Sequence, residues 1–270
     1  MKTMQGDGGE VITITSIDDP RIADYRLLRD RALMQERGLF IVEGENPVLR
    51  LLASPCRTAS LFVSEKRLGR IAPFVPAGTP LYVAPEELLA RAPGFTFNRG
   101  VIACGIRQPL PAPEQLVVQL RPPALVVVCA GIGDAENLGQ IVRTSAALGA
   151  GALLIGEGTI DPFYRRVIRV SMGALFTLPI AEGGDLRAAL PLLRDAGFRL
   201  YATHLSPDST PLEESRPAPL SAILLGNEGS GLPPQLTALC DERITIPMTR
   251  GADSLNVAAA AAIVLHHFRR

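Results

Sequence analysis

The chain has 270 residues, enough for one large or two ordinary domains, and its 47% hydrophobic and 20% charged content excludes a disordered polymer. Lys plus Arg and Asp plus Glu each number 27, so bulk charge does not announce a nucleic-acid binder, and any basic surface must be local. No run of about 18 apolar residues occurs, so no membrane span is expected, and residues 1–10 are polar and Gly-rich, unlike a secretory signal.

Residues 1–10 read as a disordered start. Residues 12–17 alternate apolar and polar positions, a short strand, and Asp18-Asp19-Pro20 caps a helix expected over 21–37. Strands at 39–42, 61–63, 81–83 and 101–106 alternate with helices at 46–52 and from Pro85, whose first turn carries Glu86 and Glu87. This is the pattern of a small α/β domain over 11–107. Residues 108–123 hold Pro109, Pro111, Pro113, Pro122 and Pro123 around one apolar stretch, a linker by composition. A second α/β domain is expected over 124–270. Its strands fall at 124–129, 152–155, 200–203, 222–225 and 243–246, with helices at 138–148, 164–172, 186–196, 233–239 and 257–267. Strands apolar at every position are buried on both faces, which predicts a parallel sheet.

The four cysteines, Cys56, Cys104, Cys129 and Cys240, are far apart in apolar surroundings. They read as buried free thiols in a reducing compartment, the cytoplasm. Neither they nor His204, His266 and His267 show metal-ligand spacing, so no metal is expected. Basic residues are almost all arginine, lysine occurring only at Lys2 and Lys66. Arg165, Arg166 and Arg169 form a cluster, with Arg165 and Arg169 one helical turn apart; a solvated face or a phosphate contact would each account for it.

Three loops leave the ends of expected strands in the second domain, the edge at which open α/β sheets bind ligands. The first is Gly131-Ile132-Gly133-Asp134-Ala135-Glu136-Asn137. It fails as a dinucleotide fingerprint, because Glu136 stands where the third glycine is needed. Asn137 is placed to cap the following helix, and Arg143, nearly two turns in, is either a surface ion-pair partner or a phosphate-gripping residue. The second loop, Gly226-Asn227-Glu228-Gly229-Ser230-Gly231-Leu232, is no P-loop, since no Gly-Lys-Ser/Thr follows, and Glu228 between glycines needs a partner or solvent. The third runs from Pro247 through residues 250–253 to Ser254 and Asn256, both natural helix caps.

The segments from Asn137 to Thr144 (NLGQIVRT), Gly226 to Leu232 (GNEGSGL), and Ile246-Pro247-Met248 through Ser254-Leu255-Asn256-Val257 resemble, in order and spacing, the three motifs of the SpoU (TrmH-like) RNA 2′-O-ribose methyltransferases, within the SPOUT superfamily. Asp161-Pro162-Phe163 and Ser171-Met172-Gly173-Ala174 also resemble family segments. Residues 21–107, with Phe40-Ile41-Val42-Glu43-Gly44 and Asn98-Arg99-Gly100-Val101, are similar to the RNA-binding domain that often precedes the catalytic one. The family usually has serine after Val257, where this chain has Ala258.

The resemblance implies a parallel-sheet domain with a deep trefoil knot, S-adenosylmethionine as methyl donor, and a homodimer. It implies that Leu225, Gly226, Ile246 and Leu255, with Pro247 and Met248 beside them, hold the cofactor. Asn137, Arg143, Glu228, Ser254 and Asn256 are then the functional side chains, and Arg165, Arg166 and Arg169 the RNA contacts. The implied substrate is structured RNA, ribosomal RNA ahead of transfer RNA, with an antibiotic-resistance methylation one form that an rRNA target could take; a non-catalytic RNA-binding or assembly factor is the alternative. Guanidinium stays protonated, so Arg143 is expected to clamp an RNA phosphate rather than act as a base.

Overall fold

The computed structural model describes residues 10–26, 35–93, 97–249 and 254–269. The chain divides into two compact units, one of residues 1–108 with 163–177, the other of residues 109–162 with 178–270.

The first unit is built on a five-stranded mixed sheet. In chain order its strands are β1 (Val11–Thr13), β2 (Leu39–Glu43), β3 (Thr58–Ser64), β4 (Leu81–Ala84) and β5 (Val101–Ile106). The sheet order is β1-β4-β3-β5-β2, parallel across β1/β4/β3 and antiparallel where β5 meets β3 and β2. The expected first helix begins with a 3-10 turn, Pro20–Ile22, whose Asp19 cap accepts the Arg21 N–H, and continues as α1 (Ala23–Arg26). The remainder of that expected helix, 27–34, lies outside the described residues, as do 1–9 of the expected disordered start. Helices α2 (Glu45–Leu52), α3 (Glu65–Ile71) and α4 (Glu86–Arg91) follow β2, β3 and β4. Tyr25 anchors the core, wholly buried against Phe62 and Tyr82, its hydroxyl 2.7 Å from Ser60 Oγ.

The second unit is a seven-stranded parallel sheet. Its strands are β6 (Ala124–Ala130), β7 (Ala152–Gly156), β8 (Ile180–Gly184), β9 (Arg199–Thr203), β10 (Thr210–Pro211), β11 (Leu220–Gly226) and β12 (Glu242–Thr245), in the order β10-β12-β9-β11-β6-β7-β8. Every pairing is parallel, as the unbroken apolar runs predict. Val126, Val128 and Ala130 face one core together with Leu186, Leu190 and Leu193, while Val127 and Cys129 on alternate positions are equally buried. Helices α6 (Ala135–Ala147) and α10 (Val257–Phe268) pack on each other and on β7 and β11, while the short α9 (Pro234–Thr237) lies between β11 and β12 in the chain.

Strands β8 and β10 are additions to the expected set, and two further segments depart from the sequence reading. The Pro-rich stretch read as a linker carries a helix, α5 (Pro113–Val117), whose Leu116 and Val117 join the core against α8 (Leu186–Asp195). Pro113 at the start of α5 is no obstacle, because the first helical N–H needs no partner. Residues 163–177, drawn inside the 124–270 domain, group instead with the first unit. There Phe163 packs tilted against Phe40 and Phe176 stacks on it, with ring centroids 4.9 and 5.8 Å away, and Arg50 Nη1 donates to the Met172 carbonyl at 2.8 Å. Gly173, at φ +76°, lies so close to Pro47 that a Cβ would stand 2.9 Å from the Pro47 Cα. Between these contacts lies α7 (Arg165–Val170).

Candidate active site

β11 is buried at nearly every position and ends at Gly226. A Cβ on Gly226 would stand 2.4 Å from the Gly231 carbonyl carbon, so only glycine lets the chain fold back here. Asn227 and Gly231 then close a small hairpin through backbone bonds of 3.1 and 2.9 Å, with Gly231 at φ +67°. Asn227 braces it from within. Its Oδ1 accepts the N–H groups of Gly229 and Ser230 at 2.9 and 3.1 Å, and its Nδ2 donates to the Gly131 carbonyl at 2.8 Å.

The hairpin presents Glu228 to the start of α6. The cap of α6 is Asp134, not Asn137; its carboxylate accepts the N–H groups of Glu136 and Asn137 at 2.8 and 2.9 Å. An aspartate one residue before the helix meets the first free N–H groups better than a side chain already inside the first turn. Asn137 is thereby released for a different task. Its Nδ2 donates to Glu228 Oε1 at 2.9 Å, and its Oδ1 accepts from Asn256 Nδ2, also at 2.9 Å. Asn256 caps α10 with its other side-chain atom, accepting the Ala258 N–H at 2.9 Å. Glu228 also accepts long bonds of 3.4 Å from the Gly133 and Asp134 N–H groups. Its charge thus meets several donors at the positive end of a helix, which holds the exposed carboxylate in place.

These residues line one cavity of about 560 Å³, within the range of small-molecule and cofactor sites. Asn137, Gly226, Glu228, Ile246, Met248, Ser254, Leu255 and Asn256 all contribute to its wall, whereas Leu225 and Pro247 do not. Residues 250–253 of the third loop lie outside the described residues. The end of β9 adds Thr203, His204 and Leu205, which the motifs did not indicate. Position alone could have flagged them, since they follow a buried parallel strand on the ligand-binding edge. Cys129, wholly buried on β6, has its thiol pushed up to about 12, first by burial and then by the Glu228 charge.

Arg143 is exposed on α6, outside the cavity wall, and makes no hydrogen bond or ion pair among the described residues. A surface ion pair therefore does not account for it. Arg165 is differently placed: its Nη1 bonds Glu43 Oε1 at 2.6 Å, and Glu43 is only 2% exposed. Arg166 is exposed and Arg169 partly so. Among the described residues no group of three or more His, Cys, Asp or Glu could hold a metal ion, and no helix is long and apolar enough to cross a membrane.

The SpoU rRNA Methylase family model matches residues 124–266. An uncharacterized tRNA/rRNA methyltransferase of Mycobacterium bovis is 39% identical over 98% of this chain and 93% of its own length. The 23S rRNA (guanosine(2553)-2′-O)-methyltransferase RlmP of Bacillus subtilis is 28% identical over 95% of this chain and 98% of its own. Among solved structures, an AdoMet-bound rRNA methyltransferase from Sinorhizobium meliloti superposes with a TM-score of 0.82 at 27% identity, covering 95% of this chain and 97% of its own. With a family match across more than half its length and a 39% identical relative spanning nearly all of it, the chain belongs to the SpoU rRNA methylase family.

Proposed function

We propose that the protein transfers a methyl group from S-adenosylmethionine to a ribose 2′-hydroxyl of structured RNA, ribosomal RNA ahead of transfer RNA, acting in the cytoplasm as a homodimer. The observation that carries this reading is the Glu228–Asn137–Asn256 chain, which ties three loops into one cavity. The ribosomal preference draws on RlmP and the S. meliloti enzyme, both matched over almost their whole length and both described as acting on rRNA.

The cavity fits the cofactor on its own chemistry. Gly226 lets backbone approach closely, Leu205, Leu232, Ile244 and Met248 offer apolar walls, and Glu228, Ser254 and Asn256 offer polar contacts. An amphiphile with a heterocycle and a zwitterionic tail needs that mixture. S-adenosylmethionine supplies an electrophilic methyl on a sulfonium. The chain's own residues must orient the acceptor and favour loss of its proton. Asn137, held between Glu228 and Asn256, fixes the relative positions of the three loops, so that acceptor and donor meet in line. Arg143, uncommitted on the surface of α6, grips the phosphate beside the acceptor ribose and stabilises the developing alkoxide, whose proton leaves to solvent.

Charge is unevenly shared between the units. The first holds 17 Lys and Arg against 12 Asp and Glu, a net of +5, and the second 10 against 15, a net of −5. This supports the first unit as the RNA-binding part, with Arg166 and Arg169 on its surface, and reconciles a neutral chain with a polyanionic substrate. The dimer reading is supported by α10, which leaves Ile263 43% exposed. The knot implied by the motifs belongs to the same proposal.

Calorimetry with S-adenosylmethionine, followed by mass-spectrometric mapping of 2′-O-methyl ribose in RNA from a deletion strain, tests the reading. The expected result is cofactor binding and one methylated ribosomal nucleotide lost on deletion. Absence of cofactor binding would point to the non-catalytic alternative.

A further inference from the structure

The 227–231 hairpin is shared by two cavities. Asn227, Ser230 and Gly231 line the site described above and also a second cavity of about 410 Å³. The floor of the second is made where β6, β7 and β8, neighbours in the sheet, come to their C-terminal ends. Each end carries a glycine at positive φ: Gly131 at +76°, Gly158 at +75° and Gly184 at +49°. Side chains are disfavoured at such angles, so the floor stays bare backbone.

Much of that floor is internally satisfied. Thr159 Oγ1 accepts the N–H groups of Gly131 and Ile132 at 3.0 and 3.2 Å, and Glu157 N–H donates to the Gly184 carbonyl at 3.0 Å. The Gly131 carbonyl is taken by Asn227 Nδ2. A ligand therefore meets a preformed surface and is recognised by the side chains around it, of which Glu157, Asp185, Arg187 and Gln235 are the polar members beyond the hairpin. Arg187 is engaged with Asp185 through bonds of 2.9 and 2.7 Å and also feels the Glu157 charge, so one guanidinium faces two carboxylates and the rim carries a net negative charge. An anion such as phosphate is disfavoured by that balance. A neutral, planar group with N–H donors on its edge suits both the bare floor and the carboxylate.

We propose that this second cavity receives a nucleobase of the RNA strand next to the methylated ribose, its edge read by Glu157 and Gln235. The inference rests on the methyl-transfer reading of the adjoining cavity, with which it shares a wall one hairpin thick. It makes the second unit, acidic overall, a reader of bases, and leaves phosphate attraction to Arg143 and the first unit.

The test uses the full-length protein loaded with S-adenosylhomocysteine and titrated with guanosine, adenosine, cytidine and uridine, followed by NMR. At least one nucleoside is expected to bind saturably, and Glu157→Gln and Gln235→Ala are each expected to weaken it about tenfold, the scale of a base-edge contact. S-adenosylhomocysteine affinity should stay within about twofold in both variants, which also shows that they fold. With ribosomal RNA from a deletion strain, the same variants should raise KM and leave kcat near normal. Nucleoside binding indifferent to both substitutions would overturn the proposal, as would an unchanged KM for the double variant. Capture of an arginine-rich peptide with no nucleoside binding would assign the cavity to a protein and equally overturn it. Failure of the unsubstituted protein to bind S-adenosylhomocysteine would instead strike the parent reading, and the base pocket with it.

Discussion

Asn256 donates to Asn137 across 2.9 Å, although 119 residues separate them in the chain. Asn137 passes the connection on to Glu228, so one buried amide satisfies a carboxylate on one side and a second amide on the other. Asn137→Ala removes the bridge between two solvent-accessible neighbours and should cost about 0.5–1.5 kcal/mol of stability, with methyl transfer reduced at least about 100-fold. Asn137→Asp should be no better, because it sets a second carboxylate against Glu228. Thermal unfolding and single-turnover assays of both variants check this; near-normal turnover in either would detach the chain of bonds from catalysis.

Arg143 has the opposite profile. It is exposed and makes no hydrogen bond or ion pair among the described residues, so Arg143→Ala should leave stability within about 0.5 kcal/mol and cofactor affinity unaltered, while kcat/KM falls at least about 100-fold. Calorimetry beside steady-state kinetics separates the two effects. An active Arg143→Ala enzyme would remove the phosphate-clamp role.

Arg165 and Arg166 are sequence neighbours with different prospects. Arg165→Ala strands the buried Glu43 carboxylate, 2% exposed, and should destabilise the protein by about 2–4 kcal/mol. Pairing it with Glu43→Gln should recover most of the loss. Arg166→Ala, on an exposed residue, should leave unfolding almost unchanged and flatten the salt dependence of RNA binding by about one unit of slope. Denaturant melts and filter binding at several ionic strengths distinguish the pair.

Gly226→Ala is expected to abolish detectable cofactor binding. The new Cβ would sit 2.4 Å from the backbone of Gly231, and the hairpin would have to open. Calorimetry on a folded Gly226→Ala variant decides it; unchanged affinity would show that the hairpin geometry is not needed to hold the donor.

Burial pushes the thiols of Cys104, Cys129 and Cys240 up to about 12. In the unfolded chain they ionise near pH 8.5. Above that pH the unfolded state binds fewer protons than the folded one, so stability falls as pH rises towards about 12 and is flat for these groups below pH 8. Melting temperature should drop steadily from pH 9 to 11, and a Cys129→Ala variant should lose part of that slope. A slope unaltered in Cys129→Ala would show that this thiol is not a contributor.

Much of the second unit was legible in advance because its strands, such as 124–129 and 222–225, are apolar at every position, and only a sheet covered on both faces needs that. β8 was missed for the same reason in reverse: after Ile180 and Ala181 it runs through Glu182, Gly183 and Gly184. The gathering of Asn137, Glu228 and Asn256 could be read from three polar loops at strand ends. The bond from Asn256 to Asn137 could not, since Asp134 had to take the cap before Asn137 was free to bridge Glu228 and Asn256. Nor could the allegiance of 163–177, which depends on Phe163 and Phe176 finding Phe40 more than a hundred residues away. Such pairings are decided by tertiary geometry and leave no local periodicity.

That excursion of the chain has a practical result for anyone dissecting the protein. A fragment starting at residue 109 would carry Phe163, Phe176 and the Arg165 guanidinium into water, stripped of Phe40 and Glu43. The portion from residue 109 onward is therefore not a detachable cassette: its solubility is underwritten by the segment ahead of it, and shuffling either half between relatives requires moving 163–177 along with the N-terminal portion.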